Sequence, residues 1–357
     1  MSTSVIGYPR IGSLRELKFA LEAYFKGEKT EDEIKALAKE LRKEHLTTQK
    51  NAGIEFISSN DFSFYDNTLD QAVLLNIVPK RYRELELSEL EKYFAIARGY
   101  QGKKGNVKAL AMKKWFNTNY HYIVPEFEDD TKIELIGTKP FDEYTEAKQL
   151  GIETKPVLIG PFTLLKLIRF TGKKGILDVK ADFIKVYTEI LKKFINLGTQ
   201  WVQFDEPYLV HDLTANDLRL FQDLYSAILN KKEKTKILLQ TYFGDVRDIY
   251  KCNDNFTILC GVLLSDNKLI TIKNTCFNHT VTLNSQDKNI LSLRNHICRE
   301  WQISINIFNC KNRLSGSNLS NLRNIYSFRA DKIKAIINNF NCSRFCWVLA
   351  DVTISFK

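Results

Sequence analysis

The sequence predicts an α/β fold built on a parallel sheet, because strand-like and helical segments alternate through the first 250 residues. The strand-like runs are almost continuously apolar, which is typical of parallel strands covered on both faces. They lie at 156–161, 201–207 and 237–245, and helical segments at 141–150, 177–197 and 215–230 precede them. About six strand and helix units in this length favour a (β/α)8 TIM-barrel-like domain, with a doubly wound open sheet as the alternative.

The first predicted helix covers 14–26 and carries an unusual charge pattern. Ser13 and Glu16 have the spacing of a capping box at its start. Arg15 and Lys18 then fall in the first turn, where the helix dipole disfavours cations. Free backbone amides beside two cations predict an anion site, and the alternative is that both side chains extend into solvent. The expected apolar stripe consists of Leu14, Leu17, Leu21 and Phe25.

Further elements are predicted on either side of this helix. They are a strand and tight turn at 4–12, a helix at 30–51, a strand leading into a polar and aromatic loop over 54–66, and a helical stretch at 67–98. Thr30 and Glu33 repeat the capping-box spacing at the start of the second helix. Gly99, Gly102 and Gly105 predict a flexible connection after the helical stretch.

The segment 112–125 interleaves aromatic, amide and basic side chains without an amphipathic period. One interpretation is a half-buried strand whose alternate residues face water. The other is a binding site, in which the aromatic residues pack while polar residues meet a ligand. The aromatic residues expected to pack are Trp115, Phe116, Tyr120 and Tyr122.

Chemistry in either α/β architecture gathers at the carboxyl ends of the strands. The residues at or just after such ends are Arg10, Asp61, Asn119, Gly160, Asp205, Glu206 and Tyr242. The adjacent carboxylates of Asp205 and Glu206 could bind a metal, orient an amine or hold a proton. The alternative is that they cap the next helix or pair with a lysine in the barrel. His45 and His211 have no partner at metal-ligand spacing, so both are interpreted as structural.

The composition is that of an ordinary globular protein, with 357 residues of which 44% are hydrophobic. No apolar run reaches the length of roughly 18 residues that a membrane span needs, and the N-terminus lacks the features of a signal peptide. We therefore expect a cytoplasmic protein without membrane association.

The composition changes near residue 250. All seven prolines precede this point and all seven cysteines follow it, and residues 251–357 carry 14 basic against 6 acidic side chains. We therefore divide the chain into a domain at 1–250 and a divergent tail at 251–357.

An ordered series of short motifs runs through the first part of the chain. They are GYPR at 7–10, RELK at 15–18, DFS at 61–63 with YD at 65–66, KWFNTNYHY at 114–122, PVLIGP at 156–161, QFDEP at 203–207 and QTYF at 240–243. Together they resemble the N-terminal domain of the cobalamin-independent methionine synthase family. That family uses zinc and no cobalamin to move a methyl group from 5-methyltetrahydrofolate polyglutamate to homocysteine in methionine biosynthesis.

The resemblance implies a binding site for the polyglutamate tail of 5-methyltetrahydropteroyltriglutamate. The residues at the matching positions are Arg15, Glu16, Leu17, Lys18, Lys114 and Asn119. A polyglutamate tail is a chain of carboxylates, so the three cations among them would supply charge-assisted hydrogen bonds. Leu17 belongs to the same RELK motif at 15–18.

The resemblance also defines what this chain is expected to lack. The family consists of two facing (βα)8 barrels, and zinc and homocysteine bind to the C-terminal barrel. No zinc ligands of that barrel occur in this sequence, so homocysteine would be reached only through the missing domain. The family's seventh and eighth strand motifs are also not found after residue 250, which predicts a barrel that is incomplete after the sixth strand. We expect no catalytic residue and no metal ligand in this chain.

Three interpretations of the tail remain open. Cys276, Cys298, His279 and His296 could form a metal module, although their spacing matches no common zinc pattern. The scattered basic residues could bind nucleic acid, but they form no stripe, so no nucleic-acid partner is expected. We favour the third, a frame-shifted or truncated sequence with poor order. The expected function is binding of the folate tail without turnover, and the alternative is a stand-alone, non-catalytic barrel that binds folate or another polyanion.

Overall fold

A computed structural model describes residues 3–231, 234–241, 243 and 246, together with the backbone of four strands between 257 and 282. Within this part of the chain, no helix combines the length and the apolar character that crossing a membrane requires. Tyr242, all residues beyond 282 and the parts of 251–282 outside the four strands are not among the described residues. The predictions for the tail, including the metal module and the domain boundary at residue 250, therefore stay predictions.

The fold is centred on a parallel sheet whose strands follow one another in chain order. Its strands are β1 (Ile57–Ser59), β7 (Thr154–Ile159), β9 (Trp201–Asp205), β10 (Lys236–Gln240) and β11 (Thr257–Ile258). Every neighbouring pair is parallel. A parallel bridge between Ser4 and Phe56 adds the N-terminal segment beside β1.

This sequential order decides between the two predicted architectures. A doubly wound sheet reverses its direction at a switch point, whereas barrel strands add on one side only. The sheet of this chain does not reverse. The α/β, TIM-barrel-like prediction is therefore confirmed, and within the described residues the sheet stays open rather than closing into a complete barrel.

Helices connect the strands and cover one face of the sheet. Those of the first part are α1 (Glu16–Phe25), α2 (Glu31–Asn51), α3 (Asn67–Leu74), α4 (Lys80–Arg83) and α5 (Glu89–Arg98). Those of the second part are α6 (Lys139–Gln149), α7 (Pro161–Leu167), α8 (Ile176–Asn196) and α9 (Ala215–Leu229). The predicted capping box at the start of α2 is confirmed, since Thr30 Oγ1 accepts from Glu33 N and the Glu33 carboxylate accepts from Thr30 N.

Two predictions for residues 67–105 are wrong in detail. The single helical stretch is divided into α3, α4 and α5. The first helix ends before Asn76, whose φ of 59° is left-handed, and Pro79 is the N-cap residue of α4. The glycines after it do not form a flexible connection. Instead, β2 (Tyr100–Gly102) and β3 (Gly105–Val107) pair as an antiparallel hairpin.

Four further strands lie outside the central sheet. They are β4 (Met112–Lys114), β5 (His121–Ile123), β6 (Glu126–Phe127) and β8 (Arg169–Phe170). Beyond the central sheet, the backbone of 262–282 forms a three-stranded antiparallel sheet of β12 (Val262–Ser265), β13 (Lys268–Thr275) and β14 (Asn278–Thr282).

The main hydrophobic core lies between the outer face of the sheet and helices α8 and α9. Phe204 of β9 is fully buried there, with its ring 5.7 Å from that of Tyr187 and 6.3 Å from that of Tyr225. Such aromatic contacts add to the free energy that burial itself supplies. The alternating side chains of each strand leave a second, inner face, and this inner face is polar.

The inner face is centred on Lys155 of β7, whose side chain is only 2% exposed. Its ammonium donates to Val5 O at 2.7 Å, to Ser58 Oγ at 2.9 Å and to Gln203 Oε1 at 2.5 Å. Three donors thus meet three acceptors from the N-terminal segment, β1 and β9. A buried ammonium is tolerated only with such partners, so this contact fixes the relative positions of the strands.

Replacing this lysine should destabilise the fold far more than replacing an exposed one. Lys155→Met keeps the aliphatic stem but removes the ammonium donor from three acceptors, of which Val5 O keeps a hydrogen bond from the Ser58 hydroxyl. We expect a loss of about 3 kcal/mol in the free energy of unfolding. Denaturant-induced unfolding measures this difference. Lys185→Met, on the exposed side of α8, serves as the control, and equal losses in the two variants would contradict the role assigned to Lys155.

Candidate functional site

The start of α1 places the predicted tail-binding residues on an unusual helix terminus. The helix begins at Glu16, two residues later than predicted, and Arg15 is its N-cap residue. Arg15 has φ 67° and ψ 32°, a left-handed conformation that non-glycine residues rarely adopt. The predicted burial of Leu14 is wrong, since this side chain is 77% exposed and precedes the helix.

The predicted Ser13–Glu16 capping box does not form with Ser13 as the N-cap. The Glu16 carboxylate instead turns back and accepts hydrogen bonds from Leu14 N at 3.0 Å and Ser13 Oγ at 3.5 Å. Gly12 makes this possible, because a Cβ at its position would lie 2.0 Å from Glu16 Oε2. The backbone amides before α1 are therefore partly occupied by the protein's own carboxylate, and they are not all free for an external anion.

The next two residues have different environments. Leu17 is buried in a small apolar cluster with Ala38, Leu41 and Phe62, so its side chain anchors α1 and is closed to solvent. Lys18 is partly exposed and lies 3.5 Å from Glu22, one turn further along the helix. Exposed ion pairs of this kind contribute little to stability, so the Lys18 ammonium can exchange partners at small cost.

The segment 112–125 forms an antiparallel hairpin in place of a single strand. Lys114 of β4 pairs with His121 of β5, and Asn119 lies in the loop between them. Lys114 and Asn119 are both exposed. The hairpin thus presents these two predicted ligand contacts to solvent.

The four aromatic residues of the hairpin divide into two groups. Trp115 and Tyr122 are buried, and Phe116 packs against the same core from a partly buried position, as predicted. Tyr120 was expected to pack as well, but 38% of it is exposed. Its hydroxyl accepts a hydrogen bond from the guanidinium of Arg10 at 3.3 Å.

Arg10 connects the two parts of the predicted site. It precedes α1 by a few residues, and its guanidinium also donates to the carbonyl oxygen of Tyr65. Through Arg10 and Tyr120, the segment that enters α1 is attached to the hairpin beside Asn119. The sequence indicated Arg10 as a strand-end residue, but it gave no signal that Tyr120 would be its partner.

The carboxylate of Asp66 connects the β4–β5 hairpin to the start of α3. It is fully buried, caps α3 by accepting from Leu69 N at 3.0 Å, and accepts from Ile123 N at 3.0 Å. Burial raises the pKa of the Asp66 carboxyl to about 7. Burial likewise raises the pKa of Asp61 to about 6, although its carboxylate accepts from Tyr8 N at 2.7 Å.

The Asp205–Glu206 pair is structural in the described residues. The carboxylate of Glu206 accepts from Phe162 N at 3.0 Å, from Thr163 N at 2.6 Å and from the Tyr225 hydroxyl at 2.5 Å. It therefore caps the first turn of α7. Gly160 is required at this position, because a Cβ there would lie 2.1 Å from Glu206 Oε1.

Asp205 and the two histidines have similarly local contacts. Asp205 Oδ1 accepts from Gln203 Nε2 at 2.7 Å, which extends the polar row that begins at Lys155. His45 is buried against the ring of Tyr8 at 4.7 Å, and burial lowers its pKa to about 4. His211 lies against the ring of Phe116.

A zinc ion does not fit the described site. Among residues 3–231 and the described positions up to 246, no three side chains of histidine, cysteine, aspartate or glutamate converge as metal ligands do. No chemical step is therefore assigned to zinc in this part of the chain.

Comparison with known proteins identifies the family. Residues 2–266 match the family model described as the cobalamin-independent synthase, N-terminal domain. The chain belongs to this family. The resemblance carried by the ordered motifs is thereby confirmed.

Curated relatives in this family bear a methyltransferase name. Proteins of Campylobacter jejuni subsp. doylei and Streptococcus thermophilus, named 5-methyltetrahydropteroyltriglutamate–homocysteine methyltransferase, are 56% and 55% identical over 250 residues. A protein of the same name from Bifidobacterium animalis subsp. lactis is 56% identical over 257 residues. These matches cover 70% of this chain and 33% of each relative. The chain therefore spans about one third of the length of the curated relatives it matches.

Solved structures give weaker matches. A putative vitamin-B12 independent methionine synthase from Listeria monocytogenes aligns with a TM-score of 0.47 and 15% identity, over 71% of this chain and 68% of the other. A B12-independent methionine synthase from Shewanella sp. W3-18-1 aligns with a TM-score of 0.40 and 17% identity, over 63% and 57%. The description of the fold rests on the strand order of this chain itself.

The buried carboxyl of Glu206 should make stability depend on pH. Burial raises its folded-state pKa from 4.5 to about 7, so the folded state holds the proton more tightly than the unfolded state. The stability that Glu206 contributes is fully present below about pH 4.5 and is lost as the pH rises through about 7. Relative to Glu206→Gln, the wild-type free energy of unfolding should therefore fall between these two pH values.

Denaturant unfolding across pH 4.5 to 8 measures this difference. Glu189→Gln on α8 removes an exposed carboxylate and should leave the wild-type pH profile unchanged in shape. A constant offset between wild type and Glu206→Gln at every pH would contradict the assignment.

Proposed function

We propose that the described domain binds the polyglutamate tail of a methyltetrahydropteroyl polyglutamate. The site consists of Arg15, Glu16, Leu17 and Lys18 at the start of α1, with Lys114 and Asn119 on the β4–β5 hairpin, and the buried Leu17 serves it as an anchor. The observation that carries the proposal is the Arg10–Tyr120 hydrogen bond, which joins the segment entering α1 to the hairpin.

The chemistry of these residues suits a chain of carboxylates. Arg15 and Lys114 are exposed cations, and the Lys18 ammonium is held by a solvent-accessible glutamate and lies over the ring of Phe19. Ligand carboxylates can take over such cations without the large desolvation cost that breaking a buried pair would carry. Arg15 adds a planar donor group that can bind one carboxylate through two parallel hydrogen bonds.

Leu17, Glu16 and Asn119 position the site and add no positive charge to it. The buried side chain of Leu17 fixes the first turn of α1 on its apolar cluster. Glu16 holds the preceding backbone through Leu14 N. The exposed amide of Asn119 can donate to one carboxylate oxygen beside Lys114.

The names of the relatives suggest the reaction in which this binding takes part. Their methyl donor is 5-methyltetrahydropteroyltriglutamate and their acceptor is homocysteine. In this proposal the described domain holds the donor by its tail. Methyl transfer to homocysteine would belong to the second, C-terminal barrel that the family resemblance implies, and the described residues perform no step of it.

Calorimetry with ligands of different tail length tests the proposal. The triglutamyl form of the methylfolate should bind roughly tenfold or more tightly than the monoglutamyl form, since each additional charge-assisted hydrogen bond contributes on this scale. Lys18→Ala and Lys114→Ala should each reduce that preference. Lys39→Ala, which removes an exposed cation from α2, is the matched control and should retain it.

The outcomes separate the proposal from its alternative. Equal affinity for the two tail lengths in the wild type, or no binding of either, would overturn tail recognition. Inorganic tripolyphosphate that binds as tightly as the triglutamyl ligand would favour the stand-alone barrel that accepts polyanions in general.

A further inference from the structure

Phe116 has a backbone conformation that a phenylalanine adopts only under constraint. Its φ is 52°, in the left-handed region, where the Cβ of an L-residue approaches the following carbonyl oxygen. Such strain persists only where surrounding contacts outweigh it. The position lies at the tip of the hairpin that carries Lys114 and Asn119.

Aromatic contacts hold the Phe116 ring against a different part of the chain. The ring of His211 stacks on it, with centroids 5.5 Å apart and planes 28° apart. The rings of Tyr208 and Phe243 lie 6.3 Å and 5.2 Å away. Tyr208 and His211 follow β9, so the ring attaches the hairpin tip to the carboxyl end of the central sheet.

Hydrogen bonds fix the remainder of the tip around this ring. Trp115 N donates to Tyr120 O at 2.7 Å and closes the loop. The hydroxyl of Thr118 donates to Trp115 O at 2.7 Å and accepts from Tyr120 N at 3.1 Å. With the loop closed, the left-handed turn at Phe116 sends the ring inward while Asn119 stays exposed.

We propose that Phe116 is a positioning residue for tail binding, which acts by locking the hairpin onto His211 so that Lys114 and Asn119 are presented in one geometry. This inference rests on the proposed tail-binding function and extends it. A ligand with several carboxylates gains from cations whose positions are fixed before binding, because their ordering then costs no further entropy. The aromatic contacts compensate the backbone strain at Phe116. In this proposal, the result is a hairpin whose position is fixed before the ligand binds.

The test compares the preference for the triglutamyl over the monoglutamyl ligand in Phe116 variants of the full chain. Phe116→Ala should lower that preference by roughly tenfold, as loss of one well-placed charged contact does. Phe116→Tyr keeps the ring and should restore it. Phe116→Gly adopts φ 52° without strain but has no ring, so it should bind as Phe116→Ala does.

Two further variants guard against a general loss of structure. His211→Ala removes the stacking partner without altering the hairpin and should reduce the tail preference in the same way. Phe170→Ala removes a partly buried ring that packs on Phe127 and should leave the preference unchanged at a comparable thermal midpoint.

The outcomes distinguish this inference from the function on which it rests. Absence of tail preference in the wild type would remove the proposed function itself. A wild-type preference that persists in Phe116→Ala and His211→Ala would overturn only the positioning role. Retention of the preference in Phe116→Gly would show that the backbone turn, and not the ring, matters.

Discussion

The buried ammonium of Lys155 is the contact on which the arrangement of the sheet depends. On the inner face of the sheet, where an apolar side chain could have packed, this ammonium donates three hydrogen bonds to the N-terminal segment, β1 and β9. An apolar side chain would pack against many neighbours equally well, whereas an ammonium needs its acceptors in specific places. The inner face therefore specifies strand position by hydrogen bonding, while the outer face supplies stability by burial.

Polar side chains at the carboxyl ends of the strands also fix the positions of neighbouring elements. Glu206 is used to cap α7 and Asp66 to join α3 to the hairpin, so two carboxylates that could have been catalytic are committed to holding secondary structure. Their pKa values are raised to about 7 by burial. Burial accounts for both raised pKa values, and both groups are engaged by backbone amides of neighbouring elements.

The candidate site is assembled from two elements that are far apart in the chain. The start of α1 supplies cations on a helix terminus, and the hairpin supplies Lys114 and Asn119. Arg10 and Tyr120 join them at the base, and Phe116 and His211 hold the hairpin tip. The left-handed backbone of Phe116 is unfavourable by itself, and contacts with His211 compensate it. The guanidinium of Arg10 is held by hydrogen bonds to Tyr120 and Tyr65.

The sequence by itself determined the alternation of strands and helices, the family, and the residue types of the site. These follow from local patterns, namely apolar runs, capping spacings and ordered motifs, and neighbouring residues suffice to set them. The helix boundaries shifted where local signals competed, as at Ser13, where Glu16 turned back toward Leu14 and left Arg15 as the N-cap.

Only the tertiary structure decided which residues meet. It showed that the sheet is singly wound, that Glu206 is a cap, that Tyr120 binds Arg10 and that Phe116 is held in a left-handed turn by His211. These contacts join residues separated by many positions in the chain, and their geometry depends on how whole elements pack. No local pattern carries that information, because the same aromatic and acidic residues are compatible with several partners until the fold brings one of them within reach.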